Sequence, residues 1–179
     1  MQDRIQEISR KLASLKSTDR KMSMFGSSSH QYRTSSIPED QADELRAFDW
    51  PEEYIEFLVS IGSGAGPYYG IWDLAKSLPS LEARWLCEVE IEWSYEESDE
   101  EIEARLKAAG ATRNDCLTIC DFGCGEVFLL AVRGPEEGTI WFDYGFGDAS
   151  IRPCGVSRIS FLDWYERWLD GGLRPRETA

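Results

Sequence analysis

Three short runs rich in β-branched, aromatic and aliphatic residues, 116–120, 126–133 and 139–144, follow one another with only about five residues of Gly-containing chain between them. Connections that short join neighbouring antiparallel strands, so the runs predict a β-meander. Gly123 and Gly125 sit in the first connection, where glycine permits the positive φ of a tight turn ahead of the strand that starts at Glu126. A sheet of this kind must bury a face against something, and the segments on either side of it read as helices.

Pro38, Glu39 and Asp40 open one helix that runs through Leu45 and Phe48, since proline fits a first turn and carboxylates favour the positive helix end. Pro51, Glu52 and Glu53 repeat the signal for a second, which buries Tyr54, Ile55, Leu58 and Ile61 and stops at Gly62. After the Gly-rich loop 62–67, residues 68–73 read as a further strand. Ser98 with Glu101 forms a capping-box pattern for a helix that turns Ile102, Leu106 and Ala109 inward and ends at Gly110. Ser160 and Asp163 cap the last helix, whose Phe161, Trp164, Tyr165, Trp168 and Leu169 make a wide aromatic stripe that ends at Gly171. Trp72, Trp141, Trp164 and Trp168 are the natural core residues, because large aromatics dominate burial. The expected class is α+β, a single antiparallel-rich sheet packed against helices with an N-terminal helical extension.

That extension begins with Ile5, Ile8, Leu12 and Leu15 at helical spacing, which predicts an amphipathic helix over residues 2–16. Its apolar stripe either packs on the main domain or serves as a docking or homodimer surface. Residues 16–36, with Ser27, Ser28 and Ser29 in a row, read as a flexible linker. The chain thus divides into 1–36 (helix and Ser-rich linker), an α+β domain over 37–172 and a short tail over 173–179, with the first part expected to be dispensable for folding of the rest.

Charge narrows the functions. The net charge is −14, and it is uneven: residues 1–36 carry seven Lys or Arg against three Asp or Glu, and the other 143 residues carry twelve against thirty, a net −18. Such a field repels nucleic acid and anionic lipid and steers basic proteins inward, so no nucleic acid or membrane partner is expected. The longest uncharged run, 57–72, is broken by Gly62, Gly64, Gly66 and Pro67 and cannot form a membrane-spanning helix. Five cysteines make an odd count and the N-terminus carries no secretory pattern, which predicts free thiols and a cytoplasmic location.

Few residues invite catalysis. The single histidine, His30, falls in the predicted linker, where a solvated ring is expected and no scaffold would orient it as a base. Cys116, Cys120 and Cys124 are spaced by four across a strand and a turn, which does not compose a tetrahedral metal site, and buried small hydrophobes are the expected roles. Asp121, Phe122 and Gly123 match the kinase magnesium triplet without any of its companions, and Gly62, Gly64 and Gly66 follow a helix instead of a strand, unlike a dinucleotide fingerprint. No cofactor and no metal follow from these patterns. A carboxylate-based hydrolase needs two acidic groups with differently displaced pKa values in one cleft, and thirty acidic residues leave that alternative open.

Between Trp85 and Ala104 there is no Lys or Arg, while Glu88, Glu90, Glu92, Glu96, Glu97, Asp99, Glu100, Glu101 and Glu103 supply nine negative charges. Glu88, Glu90 and Glu92 alternate with Val89, Ile91 and Trp93, the pattern of an amphipathic strand with a carboxylate row on one face. The segment is either a solvated face or a surface for a basic partner, for which Glu88, Glu90, Glu92, Glu96, Glu97, Asp99 and Glu100 are the candidates.

The stretch WPEEYIEFL from Trp50, ICDFGCGEVFLLAVRG from Ile119, GTIWFDY from Gly138 and SFLDWYERWLDGG from Ser160 occur in the order of the SUKH superfamily, also called the SMI-KNR type, and the chain resembles that family over residues 37–172. The resemblance places Asp121, Gly123 and Gly125 in the family's acidic-glycine turn, and Trp141 and the tryptophans of the last helix in its scaffold. It implies an α+β protein without known catalytic residues, used in bacteria mainly as an immunity protein against polymorphic toxins and elsewhere as a regulatory scaffold. The implied partner is a basic toxin or effector domain. Residues 76–112 carry little of the resemblance, so partner specificity is expected there.

Overall fold

The structure is a computed structural model, and it describes residues 1–91, 94, 96–145, 151–154 and 158–172. Its centre is a five-stranded antiparallel sheet in the order β3 (Glu82–Leu86), β4 (Thr112–Gly123), β5 (Glu126–Arg133), β6 (Ile140–Asp143) and β7 (Arg152–Pro153). The predicted meander is therefore present, with β3 and β7 added at its two edges. β4 passes into β5 through a two-residue turn at Cys124 and Gly125, with φ of +57° and +87°. Positive φ at both positions matches the right-handed twist of the flanking strands, and Asp121 Oδ1 secures the approach by accepting the Gly123 N–H at 2.7 Å.

Alternation along β5 sends Phe128, Leu130 and Val132 to one face and Leu129 and Ala131 to the other, and all five are buried. The first face meets the helices. The second folds around a small core of Leu86, Cys116, Leu129, Ala131, Trp141 and Ile151. It can do so because the sheet curls until its edges touch: Leu86 of β3 bridges Ile151, next to β7, and the Cys87 N–H donates to the Ile151 carbonyl at 3.0 Å. Edge backbone that would otherwise be open to another chain is partnered there.

The helical layer contains α3 (Glu39–Ala47), α4 (Glu52–Ser60) and α7 (Phe161–Leu169), with α1 (Gln2–Thr18) lying against α4 and α7. α6 (Asp99–Ala108) has the predicted capping box: Ser98 Oγ accepts the Glu101 N–H, and the Glu101 carboxylate accepts the Ser98 N–H at 2.8 Å. Only Leu106 of this helix is buried; Ile102 is half-buried and Ala109, expected inside, is exposed. Residues 68–73 also depart from expectation. Tyr68 and Gly70 take φ of +51° and +90°, which bends the chain before it can extend, so Ile71 makes only isolated bridges to Gly64 and Cys120. The chain then enters the short helix α5 (Leu74–Ser77), capped by Asp73. No helix among the described residues is long and apolar enough to cross a membrane.

The largest correction concerns residues 16–36, which are packed instead of forming a flexible linker. Ile5, Ile8 and Leu12 of α1 belong to the main core, and the apolar stripe that a homodimer would use is covered by α4 and α7. Arg4 pairs with Glu166 at 2.7 Å, Glu53 at 3.5 Å and Asp163, and Lys11 pairs with Asp170 at 2.8 Å. Beyond α1, the Asp19 carboxylate accepts from the Tyr32 hydroxyl (2.6 Å) and the N–H groups of Ser23 (2.8 Å) and Met24 (3.1 Å), which hold its pKa well below the usual carboxylate range. Ser27 to Ser29 open the one-turn helix α2 (Ser27–His30), and β1 (Thr34–Ser35) pairs with β2 (Ser63–Gly64). Gly26 makes this possible: at φ +79° a Cβ there would sit 1.6 Å from the Tyr68 carbonyl oxygen. Serine content suggested solvent because composition does not report which backbone groups find partners.

His30 is likewise buried, not solvated. Its Nδ1 accepts the Tyr32 N–H at 3.0 Å, and its ring lies edge-on to Tyr32 and Trp168, 5.3 and 6.0 Å between centroids. Burial pushes its pKa below the ordinary 6.5, with the Gly66 backbone opposing the shift in part.

Three outcomes follow from this packing. Ile8→Ala removes a fully buried side chain from the α1 contact and is expected to cost about 2–5 kcal/mol in urea unfolding, whereas Arg10→Ala, on the outer side of α1, leaves the midpoint unchanged. Deleting residues 1–36 is expected to lower the midpoint by more than Ile8→Ala does, and an unchanged midpoint would restore the reading of a dispensable extension. For His30 the folded pKa is the depressed one, so between it and about pH 6.5 the unfolded chain binds the extra proton and stability falls as the pH is lowered. The single imidazole should titrate by NMR with a midpoint under 6.5, and His30→Gln should flatten the stability slope in that window.

Candidate protein-binding surface

The acidic segment leaves the sheet where β3 ends at Leu86, so Glu88 and Glu90 do not stand on a strand face as the alternation suggested. The chain bends at Glu88 and Val89 after Cys87 has closed the sheet edge on Ile151, and a continued strand would have no neighbour to pair with. Glu92 lies outside the described residues, so the third member of the expected row is not placed.

The described carboxylates divide into two groups. Glu88 pairs with Arg158 at 3.0 Å, and Arg158 also reaches Glu136 at 3.1 Å. Glu136 is only 4% exposed, and its backbone N–H donates to Asn114 Oδ1 at 2.8 Å, so this arginine joins the acidic segment to the β5–β6 turn. Glu90 pairs with Arg152 at 3.0 Å, whose guanidinium lies 4.1 Å over the Tyr144 ring. Glu97 pairs with Arg105 and accepts the Ser94 N–H at 2.8 Å; that backbone bond and Arg105 together hold its pKa below the ordinary range. Glu88 and Glu90 thus hold the segment onto the rest of the protein, and Glu97 ties the turn before α6 to that helix.

Glu96, Asp99 and Glu100 differ from them. All three are exposed, and among the described residues no cation comes within ion-pair distance of any of them. Asp99 and Glu100 stand in the first turn of α6, where the helix dipole favours negative charge, typically by about 0.3–1 kcal/mol. Glu101 and Glu103 are also held below the ordinary carboxylate range, by the Ser98 backbone and by Lys107 respectively. A general acid for hydrolysis needs the opposite displacement.

The tryptophans separate in a similar way. Trp164 and Trp168 lie in the main core, Trp141 lies in the second core with Nε1 donating to Thr139 Oγ1 at 2.7 Å, and Trp72 is half-buried with Lys76 Nζ 3.6 Å above its ring. Cys116 and Cys120 are buried as expected, but Cys124 is exposed at the tip of the β4–β5 hairpin, where both turn residues face solvent. Burial pushes the Cys116 and Cys154 thiols up to about 12 and that of Cys120 well above 9.0, the behaviour of inert packed thiols. Among the described residues, no group of three or more His, Cys, Asp and Glu side chains is arranged to hold a metal ion.

Sequence reasoning missed Glu136 and Arg158 altogether. Glu136 sits in a GPEEG turn where a solvated carboxylate is the ordinary reading, and only the fold brings Arg158 to it.

No curated protein and no solved structure matches the chain. The model of the SMI1 / KNR4 family (SUKH-1) matches residues 41–164, which run from α3 across the sheet into α7. That span is more than half of the chain and contains the meander, the acidic-glycine turn and the start of the aromatic helix, and the chain belongs to the SMI1 / KNR4 family (SUKH-1).

Proposed function

We propose that this chain is a non-catalytic, cytoplasmic immunity protein that neutralises a basic toxin domain by binding and occluding it. The observation that carries the reading is the acidic knuckle at the start of α6, where Glu96, Asp99 and Glu100 face solvent with no cation at ion-pair distance among the described residues, while Glu88 and Glu90 hold the segment in place. Carboxylates fixed in position and unneutralised are what a basic cleft recognises, and the net −18 beyond residue 36 steers such a partner toward them. Toxins that cut nucleic acid usually present basic clefts, so an acidic protein can occupy the place of the phosphate backbone without chemistry of its own. Family membership supports this use, and the buried thiols of Cys87, Cys116, Cys120 and Cys154 fit a reducing compartment.

The division among the carboxylates makes the test sharp. Reversing Glu96, Asp99 and Glu100 together to Lys is expected to slow association with the toxin encoded beside this chain's gene by about tenfold or more at low salt, with the difference shrinking at high salt. Reversing Glu88 and Glu90 is expected to act differently, by removing the pairs with Arg158 and Arg152 and loosening the segment, so it lowers the melting midpoint as well as affinity. If stopped-flow binding is indifferent to the first triple substitution at both salt concentrations, the knuckle is a solvated face and the interface lies elsewhere. A gene neighbourhood without a toxin, together with capture of a host protein through the same carboxylates, would favour the regulatory-scaffold reading.

A further inference from the structure

The loop after α1 is tied around Asp19, and this leaves Arg20 and Lys21 at the outside of a turn closed by the Met22 N–H on the Asp19 carbonyl at 3.0 Å. Just beyond, Met24 and Phe25 reach the main domain and, with Tyr68, Trp168 and Gly171, line an open cavity of about 110 Å³. Phe25 is 64% exposed, yet its ring is set edge-on to Tyr68, 5.3 Å between centroids, and Gly26 locks the following backbone against Tyr68. A large aromatic side chain held in place while mostly in water does little for the core.

Size and charge say what the cavity suits. It is well below the roughly 300–1,000 Å³ of sites for drug-sized ligands and smaller than a cavity of about 150 Å³ that takes benzene, so it has room for one aliphatic side chain. Lys16, Arg20 and Lys21 are exposed on the same stretch of chain, and among the described residues none of them pairs with a carboxylate. The nearby acids are spent: Asp19 on its own loop, Asp170 on Lys11 at 2.8 Å. The end of α7 is capped, since the N–H groups of Asp170, Gly171 and Gly172 return to the carbonyls of Glu166, Trp168 and Arg167. The loop that carries Met24 and Phe25 is therefore basic in a protein that is acidic elsewhere, and the Met24 N–H on Asp19 keeps Arg20 and Lys21 close to the cavity lining. Of the lining residues, Met24 and Phe25 belong to the N-terminal extension, outside the span matched by the family model.

We infer that this cavity is a docking site for an acidic segment of a partner protein, which places one leucine-sized side chain among Phe25, Tyr68 and Trp168 while its carboxylates meet Lys16, Arg20 and Lys21. A concave site sized for one side chain fits a peptide better than a lipid surface, into which apolar groups must project. The inference does not rest on the proposed toxin-binding function, because it uses a separate surface of opposite charge.

The probe is a fluorescein-labelled peptide of Asp and Glu with one central Leu, titrated against the full chain by fluorescence anisotropy. Control peptides carry Ser for the Leu, or Lys for the acids. Saturable binding is expected for the first peptide, weaker by about tenfold or more with Ser and absent with Lys. Phe25→Ser and, separately, Arg20→Glu with Lys21→Glu should each weaken it by about tenfold or more without moving the melting midpoint, because these side chains are exposed. The charge pair remains a valid test if Phe25→Ser proves unstable. Absence of saturation at millimolar protein, equal binding of the Leu and Ser peptides, or indifference to the variants would each overturn the inference. So would binding to phosphatidylserine vesicles, but not to the peptide, with the same sensitivity to the variants.

Discussion

The burial of the aromatic stripe of α7 is the contact on which the other elements depend. Trp164 packs on Phe128 of the sheet at 5.1 Å between centroids, Phe161 and Tyr165 pack on Phe57 of α4 at 4.9 and 4.6 Å, and Trp168 reaches His30 of the N-terminal extension at 6.0 Å. Side chains of this size each remove about 150–250 Å² from water, and the edge-to-face pairs on Phe57 add about 0.5–1.5 kcal/mol each beyond area. The Tyr165 hydroxyl donates to the Ala65 carbonyl at 2.9 Å, which anchors the Gly-rich loop after α4 to the same helix. Sheet, α4, α1 and the loop around His30 therefore all meet one nine-residue helix. An extension that looks optional by composition becomes part of the core because Ile5, Ile8 and Leu12 join the cluster that buries that stripe.

The second constraint is the curl of the sheet. A flat meander would expose Leu129, Ala131 and Trp141 on its outer face, and joining β3 to Ile151 encloses them. The closure has an electrostatic counterpart. Arg152 and Arg158 follow Ile151 in the chain and take Glu90, Glu88 and the buried Glu136 as partners. Breaking one side of such a pair leaves the buried carboxylate uncompensated, so these arginines are bound to the architecture as much as to the surface. The acidic segment is thereby split into a part that holds the fold and a part that remains available.

This arrangement gives the protein two faces of opposite character. The knuckle at α6 presents carboxylates that have no cation partner among the described residues, and the loop after α1 presents cations on the same stretch of chain as the apolar lining residues Met24 and Phe25. Both lie on locally braced segments, α6 by its capping box and the loop by Asp19 and Gly26, so their exposed groups are held in fixed positions.

What the sequence determined by itself is local and periodic. Short glycine turns between β-rich runs allowed only a meander, Ser98 with Glu101 specified a capped helix, and the 3.6-residue spacing of Phe161, Trp164, Tyr165 and Trp168 required a helix with one buried face. The order of these motifs also carried the family. Alternation misled at Glu88 and Glu90, because a period of two predicts a strand only where a neighbouring strand exists to pair with it, and serine content misled at residues 16–36. Tertiary structure alone decided that Ile8 and His30 join the core, that Arg152 and Arg158 neutralise two of the candidate glutamates, and that Met24 and Phe25 meet Tyr68 and Trp168 around a cavity. Each of those pairings spans tens of residues or more along the chain, and neither periodicity nor composition encodes which distant partners a fold brings together.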